Sequence, residues 1–396
     1  MLFGIGLLVG GFVMVVFLQF DRFQAAALKA VGISPTETPF ASTWAERGTQ
    51  AFANGDVNGA LDDFSNAVHQ QPDNVNYLYE YGKLLIEAGR ETDAVPMGDH
   101  AIQIAPNDPR GYAIKARALV YSDPTTAIPT AVNGLEADPN FAALHAVLAI
   151  AYTNIGRYQE ALTRGQKAVE LDPLDAVAHR SYSYALIYVG RYQQAIDQLQ
   201  QAIDLNPRLT APYFELAQVY KVQKDMAMGI AIYQHILEIE PNSAKAYQRM
   251  CATYVEVGQF QQGEPFCDKA IDIDPNYSDA YKVLGQLQYA RRNYEGAIAT
   301  FQKCRDLGST SIECYYLQGL AYYFLADTPA ECDLAWNTLQ DALTRAQAQQ
   351  ELPQTIDSIK TGLYNITVHC TGYANRPLPT DIPPTTIPPT PIGGGA

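Results

Sequence analysis

Residues 142–175 read AALHAVLAIAYTNIGRYQEALTRGQKAVELDPLD. Numbering this unit from Ala142 puts His145 at place 4, then Leu148, Ala149, Tyr152, Gly156, Ala161, Gly165, Ala168 and Pro173 at places 7, 8, 11, 15, 20, 24, 27 and 32. Steps of three and four describe the buried stripe of two helices, with a glycine turn between them and a proline closing the second. The unit is therefore a helical hairpin of 34 residues.

The same frame runs through most of the chain. Place 32 is Pro72, Pro106, Pro139, Pro173, Pro207, Pro241 and Pro275, every gap being 34 except one of 33 that marks a deleted residue near Asp123. Place 4, a ring in most units, is Trp44, Leu78, Tyr112, His145, His179, Tyr213, Tyr247, Tyr281 and Tyr315, which counts nine repeats. Place 20, where helices must approach closely, is Ala60, Ala94, Ala161, Ala195 and Ala297, with Gly229 and Gly263 in two units. The eighth repeat has Ser309 in place of its proline, and the ninth carries an insertion around residues 327–331. This pattern resembles the tetratricopeptide repeat family, a helix-turn-helix solenoid. The resemblance covers residues 41–346 and implies an all-α solenoid of about nine repeats.

Five segments are expected: a hydrophobic helix over 1–33, a proline linker over 34–40, the repeats over 41–346, a capping helix over 347–371 and a Pro/Thr-rich tail over 372–396. A solenoid grows by stacking, so 396 residues fit one elongated body. The net charge of −15 and the lack of any basic cluster argue against nucleic acid as a partner. Charged residues make up only 17% while tyrosine is plentiful, a surface that suits lasting contacts better than free diffusion.

Residues 1–20, MLFGIGLLVGGFVMVVFLQF, carry no charge before Asp21. As a helix they span about 30 Å, enough for a bilayer core. Gly6 and Gly10 form a GxxxG pair, and Gly4 and Gly11 lie two turns apart, so a second helix can approach closely. Arg22 and Lys29 lie beyond the apolar run, which by the positive-inside rule alone would turn the repeats toward the cytoplasm. Cysteine usage points the other way. Both are reconciled if Met1 is the residue left after a basic leader is removed, and the segment then resembles the mature end of type IV pilin-like proteins. That resemblance implies a helix held first in a membrane and then in a filament core. The chain departs from it at Ile5, where those pilins place glutamate.

All six cysteines lie late in the chain. In the repeat frame Cys251 and Cys267, at places 8 and 24 of repeat seven, sit on facing helices, and Cys304 and Cys314 flank the turn between repeats eight and nine. Cys332 and Cys370 remain to tie the insertion to the last helix. Three disulfides imply an oxidising compartment; the alternative is six reduced, packed thiols. No CxxC is present for a zinc site.

In the repeat family the inner wall, from places 2, 5, 6, 9, 12 and 13, is where partners usually bind. In repeats four and five it includes Val147, Ile150, Tyr184, Ile187 and Tyr188, an apolar patch suited to a helix or an extended proline-rich strand. The apolar residues 316–324 of repeat nine form either a second patch or a face covered by the last helix. Place 9 runs Thr49, Lys83, Arg117, Ile150, Tyr184, Gln218, Ala252, Gln286 and Leu320, which does not support the clamp by which some relatives hold a peptide carboxylate.

The tail holds IPPT twice, favouring polyproline II, and Thr380, Thr385, Thr386 and Thr390 are candidates for O-linked sugar. Asn276-Tyr277-Ser278 and Asn365-Ile366-Thr367 match the N-glycosylation triplet, Asn276 being the better placed. No catalytic motif, cofactor loop or metal cluster is legible, and His145 and His179 occupy the buried ring place. The expectation is a non-enzymatic, cell-surface or extracellular protein without cofactor. It is either the self-associating subunit of a pilus-like filament or a membrane-anchored adaptor that holds a protein or peptide in its groove.

Overall fold

A computed structural model describes residues 39–378. The expected N-terminal helix with Gly4, Gly6, Gly10 and Gly11, and the tail threonines Thr380, Thr385, Thr386 and Thr390, lie outside the described residues. Among the described residues there are nineteen helices and no strand, and no helix is long and apolar enough to cross a membrane.

The helices alternate between lengths near 13 and 14 residues, as the frame requires. They are α1 Ala41–Ala53, α2 Val57–Gln70, α3 Val75–Glu87, α4 Glu91–Ile104, α5 Pro109–Leu119, α6 Pro124–Ala137, α7 Ala142–Asn154, α8 Tyr158–Leu171, α9 Ala176–Tyr188 and α10 Tyr192–Leu205. They continue as α11 Ala211–Val222, α12 Met226–Ile239, α13 Ala244–Glu256, α14 Phe260–Ile273, α15 Ser278–Ala290, α16 Tyr294–Asp306, α17 Ile312–Leu325, α18 Pro329–Ala348 and α19 Pro353–His369. Contacts divide the chain into two compact units, Met1–Val219 and Tyr220–Ala396, with the boundary inside α11. In the first unit α1/α2, α3/α4, α5/α6, α7/α8 and α9/α10 pair as hairpins. In the second, α13/α14, α15/α16 and α17/α18 pair likewise, and α19 packs on α18 and α17.

Each hairpin is set by local chemistry. Place 15 requires a left-handed backbone, and glycine supplies it at Gly55, Gly89, Gly156, Gly190 and Gly258, with φ between 73° and 82°. Lys224 and Arg292 take the same conformation without being glycine. Carboxylate and amide side chains start many helices: Asp56 accepts from Gly59 N, Asp123 from Thr126 N and Asp225 from Met228 N. Asp172 and Asp274, next to the closing prolines, accept from Leu174 N and Asn276 N, so both are turn residues. The insertion before α18 is absorbed by a capping box, Thr328 with Glu331, and α18 extends to 20 residues.

One bond recurs and explains why rings and prolines keep step. The place-4 side chain donates to the carbonyl six residues back: Tyr112 Oη to Pro106 O at 3.0 Å and Tyr213 Oη to Pro207 O at 3.1 Å. Tyr281 reaches Pro275 O at 3.1 Å, and Tyr315 reaches Ser309 O at 3.0 Å where the proline is replaced. His145 and His179 do the same through Nε2, to Pro139 O at 2.9 Å and Pro173 O at 3.0 Å. For His145 the tautomer follows, because Arg164 Nη1, which can only donate, lies 3.1 Å from Nδ1. Nδ1 therefore accepts, the proton sits on Nε2, and the ring is neutral. Burial lowers its pKa in the same direction.

Candidate interaction surface

The inner face of the first unit is not an open groove. Val147 and Ile150, expected to line it, are only 2% and 1% exposed and belong to the core. All of α7 from Leu144 to Thr153 is buried, the mark of a helix packed on every side. Tyr184 and Ile187 are half-buried, and Tyr188 alone of the five expected groove residues is exposed. Their burial has a physical origin: the rotation from hairpin to hairpin brings distant repeats of this unit into contact across the inner face.

Three contacts close it. Arg180 on α9 donates from Nη1 to both carboxylate oxygens of Glu87 at the end of α3, at 3.0 and 2.9 Å. The same guanidinium donates from Nε and Nη2 to Glu215 on α11, at 2.9 and 2.7 Å. Asn206 Nδ2 donates to Phe52 O at 3.3 Å, bridging 154 residues of sequence. Beside it Gly55 meets the Arg208 carbonyl so closely that an added Cβ would lie 2.6 Å from that oxygen. Tyr79 fills the space further, edge-on to Phe141 with ring centroids 6.1 Å apart, and burial raises its pKa. Asp175, which caps α9 through Val177 N, has its pKa raised chiefly by burial, against the opposing pull of Lys83 and Arg117. Sequence reasoning missed Glu87, Arg180 and Glu215, since a pair 93 residues apart leaves no local signal.

What remains open in this unit is an aromatic band near the hairpin turns. Tyr121 is 56% exposed, Tyr188 52% and Tyr158 41%. Tyr184 joins them: its ring centroid lies 6.2 Å from Tyr121 and 5.0 Å from Tyr188, and Tyr188 lies 6.3 Å from Tyr158, nearly parallel. Asn154 anchors the band, donating from Nδ2 to Val120 O at 2.8 Å and accepting from Tyr184 Oη at 2.8 Å. Burial, then the hydrogen bond with Tyr188, raises the Tyr184 pKa. Tyr121 and Tyr188 share place 13, an inner place of the frame, so this signal was present in the sequence.

In the second unit the apolar face of α17 is covered. Leu317 and Leu320 are buried, Gly362 of α19 packs against Leu320, and Tyr323 Oη meets His369 Nδ1 at 2.9 Å. The six cysteines lie in three pairs with sulfurs 2.08 Å apart: Cys251 with Cys267, Cys304 with Cys314, and Cys332 with Cys370. No free cysteine is left among the described residues. Asn276 is exposed in the turn before α15, whereas Asn365 is 2% exposed, within α19.

A family model described as tetratricopeptide repeat matches residues 51–118 and 186–254. Over those two stretches the chain matches tetratricopeptide repeats. Proteins built from these repeats serve as protein–protein interaction scaffolds. Among solved structures, a chain of the APC/C hetero-tetramer Cut9–Hcn1 is similar over 78% of this chain, at 16% identity and a TM-score of 0.56. That similarity concerns the fold, and it spans 59% of the length of the Cut9–Hcn1 chain. TTC0263, a tetratricopeptide repeat protein of Thermus thermophilus, is 19% identical over 45% of this chain and 98% of its own, with a TM-score of 0.39. MamA is 20% identical over 42% of this chain and 92% of its own, with a TM-score of 0.29. No curated protein matches the chain.

Proposed function

We propose that this chain is an extracytoplasmic interaction scaffold that associates with copies of itself, as the subunit of a pilus-like filament. The observation that carries the extracytoplasmic part is the complete pairing of the six cysteines, because disulfides form and persist in oxidising compartments and are rare where thiols are kept reduced. Self-association is supported by the apolar stretch over residues 1–20, whose Gly6 and Gly10 permit close helix packing. The closed inner face of the first unit favours this over an adaptor that captures a peptide there, since Arg180 already bridges Glu87 and Glu215 across it. A head-to-tail contact that does not close on itself generates a filament. The role is contact rather than catalysis. The exposed Asn276 is the N-glycan site that fits this compartment.

Negative-stain electron microscopy of material sheared from the cell surface without detergent tests the proposal. Regular fibres containing this chain are expected, and Gly6→Leu with Gly10→Leu should abolish them while the circular dichroism of the repeats is unchanged. Recovery of the chain solely from detergent-extracted membranes would instead favour the anchored adaptor.

A further inference from the structure

We infer that the aromatic band of Tyr121, Tyr184, Tyr188 and Tyr158 is a docking surface for the proline-rich segment 381–391, DIPPTTIPPTP, of a neighbouring copy of this chain. The inference rests on the self-assembly reading above and names the partner segment within it.

The chemistry of the two sides fits. A polyproline II strand has no internal hydrogen bonds, so its carbonyls seek donors, and its proline faces pack on flat rings. The band offers both. Its successive ring centroids are 6.2, 5.0 and 6.3 Å apart, which makes a continuous strip rather than single exposed rings. Tyr184 Oη lies 2.8 Å from Asn154 Oδ1 and 3.2 Å from Tyr188 Oη. With the single Tyr184 proton given to Asn154, the 3.2 Å contact is a donation from Tyr188 Oη to Tyr184 Oη, and the exposed Tyr188 hydroxyl can turn that proton to an incoming carbonyl. Asn154 is itself held by the Val120 carbonyl, so Tyr184, the central ring of the strip, is fixed before any partner arrives, which lowers the ordering cost of binding there.

The alternatives within this unit are poorer. The inner face is closed by the Arg180 bridges, and Val147 and Ile150, the apolar residues that would have held a strand there, are buried. The tail supplies the matching ligand: the described residues end at Leu378, and the eighteen that follow contain IPPT twice, five residues apart, with Asp381 as the single charged side chain. Such a strand gains from rings and hydroxyls rather than from ion pairs, and the binding should be insensitive to salt.

The test uses the full chain with a photo-reactive diazirine amino acid in place of Ile387, mixed with unmodified chain labelled uniformly with nitrogen-15. After irradiation, mass spectrometry is expected to find the modified tail joined to labelled peptides containing Tyr121, Tyr158, or Tyr184 and Tyr188. The labelled chain with Tyr121→Ala and Tyr188→Ala should lose at least tenfold of this product with unchanged circular dichroism, because both rings are more than half exposed. Adducts confined to one chain would overturn the neighbouring copy as occupant. Adducts elsewhere, or none, would overturn the docking surface. Electron microscopy of the same samples separates the two readings: fibres without these adducts refute this inference alone, whereas adducts without fibres refute the filament alone.

Discussion

Replacing Arg180 by methionine should loosen the first unit far from the substitution. The side chains of Arg180 and Glu87 are 11% and 12% exposed, so water screens their pair little, while Glu215 is 36% exposed and screened more. Methionine keeps most of the aliphatic volume and removes the charge, which takes the guanidinium away from a buried Glu87 carboxylate. Breaking a buried pair in this way costs about 3–5 kcal/mol. The lower end, about 3 kcal/mol, applies here because Glu215 can turn to solvent. By native-state hydrogen exchange, the amides of α3 and α9 should then exchange on the order of a hundredfold faster. Adding Glu87→Gln to Arg180→Met should restore about half of the loss, since the buried negative charge is gone. Arg157→Met is the control: its bridge to Glu160 is short, at 2.6 Å, but both side chains are about half exposed, and exchange should not change measurably. Exchange in Arg180→Met within threefold of the parent would refute the claim that this bridge closes the inner face. So would a double variant no better than the single one.

Gly156→Ala should destabilise its hairpin by about 1–2 kcal/mol through backbone strain alone, because φ is 78° and no atom lies within 4 Å of the new Cβ; urea unfolding of the chain measures it. Replacing both Cys332 and Cys370 by serine opens a loop of 38 residues and should cost about 4 kcal/mol in the chain-entropy picture, against about 3 kcal/mol for Cys304 with Cys314 and its loop of 10. Protease sensitivity around α19 should rise in the first case. The lowered pKa of His145 also fixes a sign. The unfolded chain takes up the proton first as pH falls through about 6.5, so this residue's contribution is whole above that pH and is lost below it. Stability measured from pH 8 to pH 5 should fall less steeply in His145→Tyr, which keeps a donor for the Pro139 carbonyl, and an unchanged slope would contradict the assignment.

Much of this could be read from one unit of sequence. The spacing of His145, Gly156, Ala161 and Pro173 defined a hairpin, and its recurrence defined the helix order, because each such element depends on residues within one repeat and its neighbour. The frame set Cys251 opposite Cys267 for the same reason, and their Cα atoms lie 5.3 Å apart. The residues of the ring-to-proline bond were visible, although the bond itself appeared only when Tyr112 and His145 were seen to reach back six residues to a carbonyl. The fate of the inner wall was decided by tertiary structure. Whether Val147 and Ile150 face a groove or a core depends on a small rotation added at every hairpin, and no single repeat encodes that sum. It brings Glu87 to Arg180 and Phe52 to Asn206, buries the wall expected to bind, and leaves Tyr121, Tyr158 and Tyr188 as the exposed rings of the aromatic band.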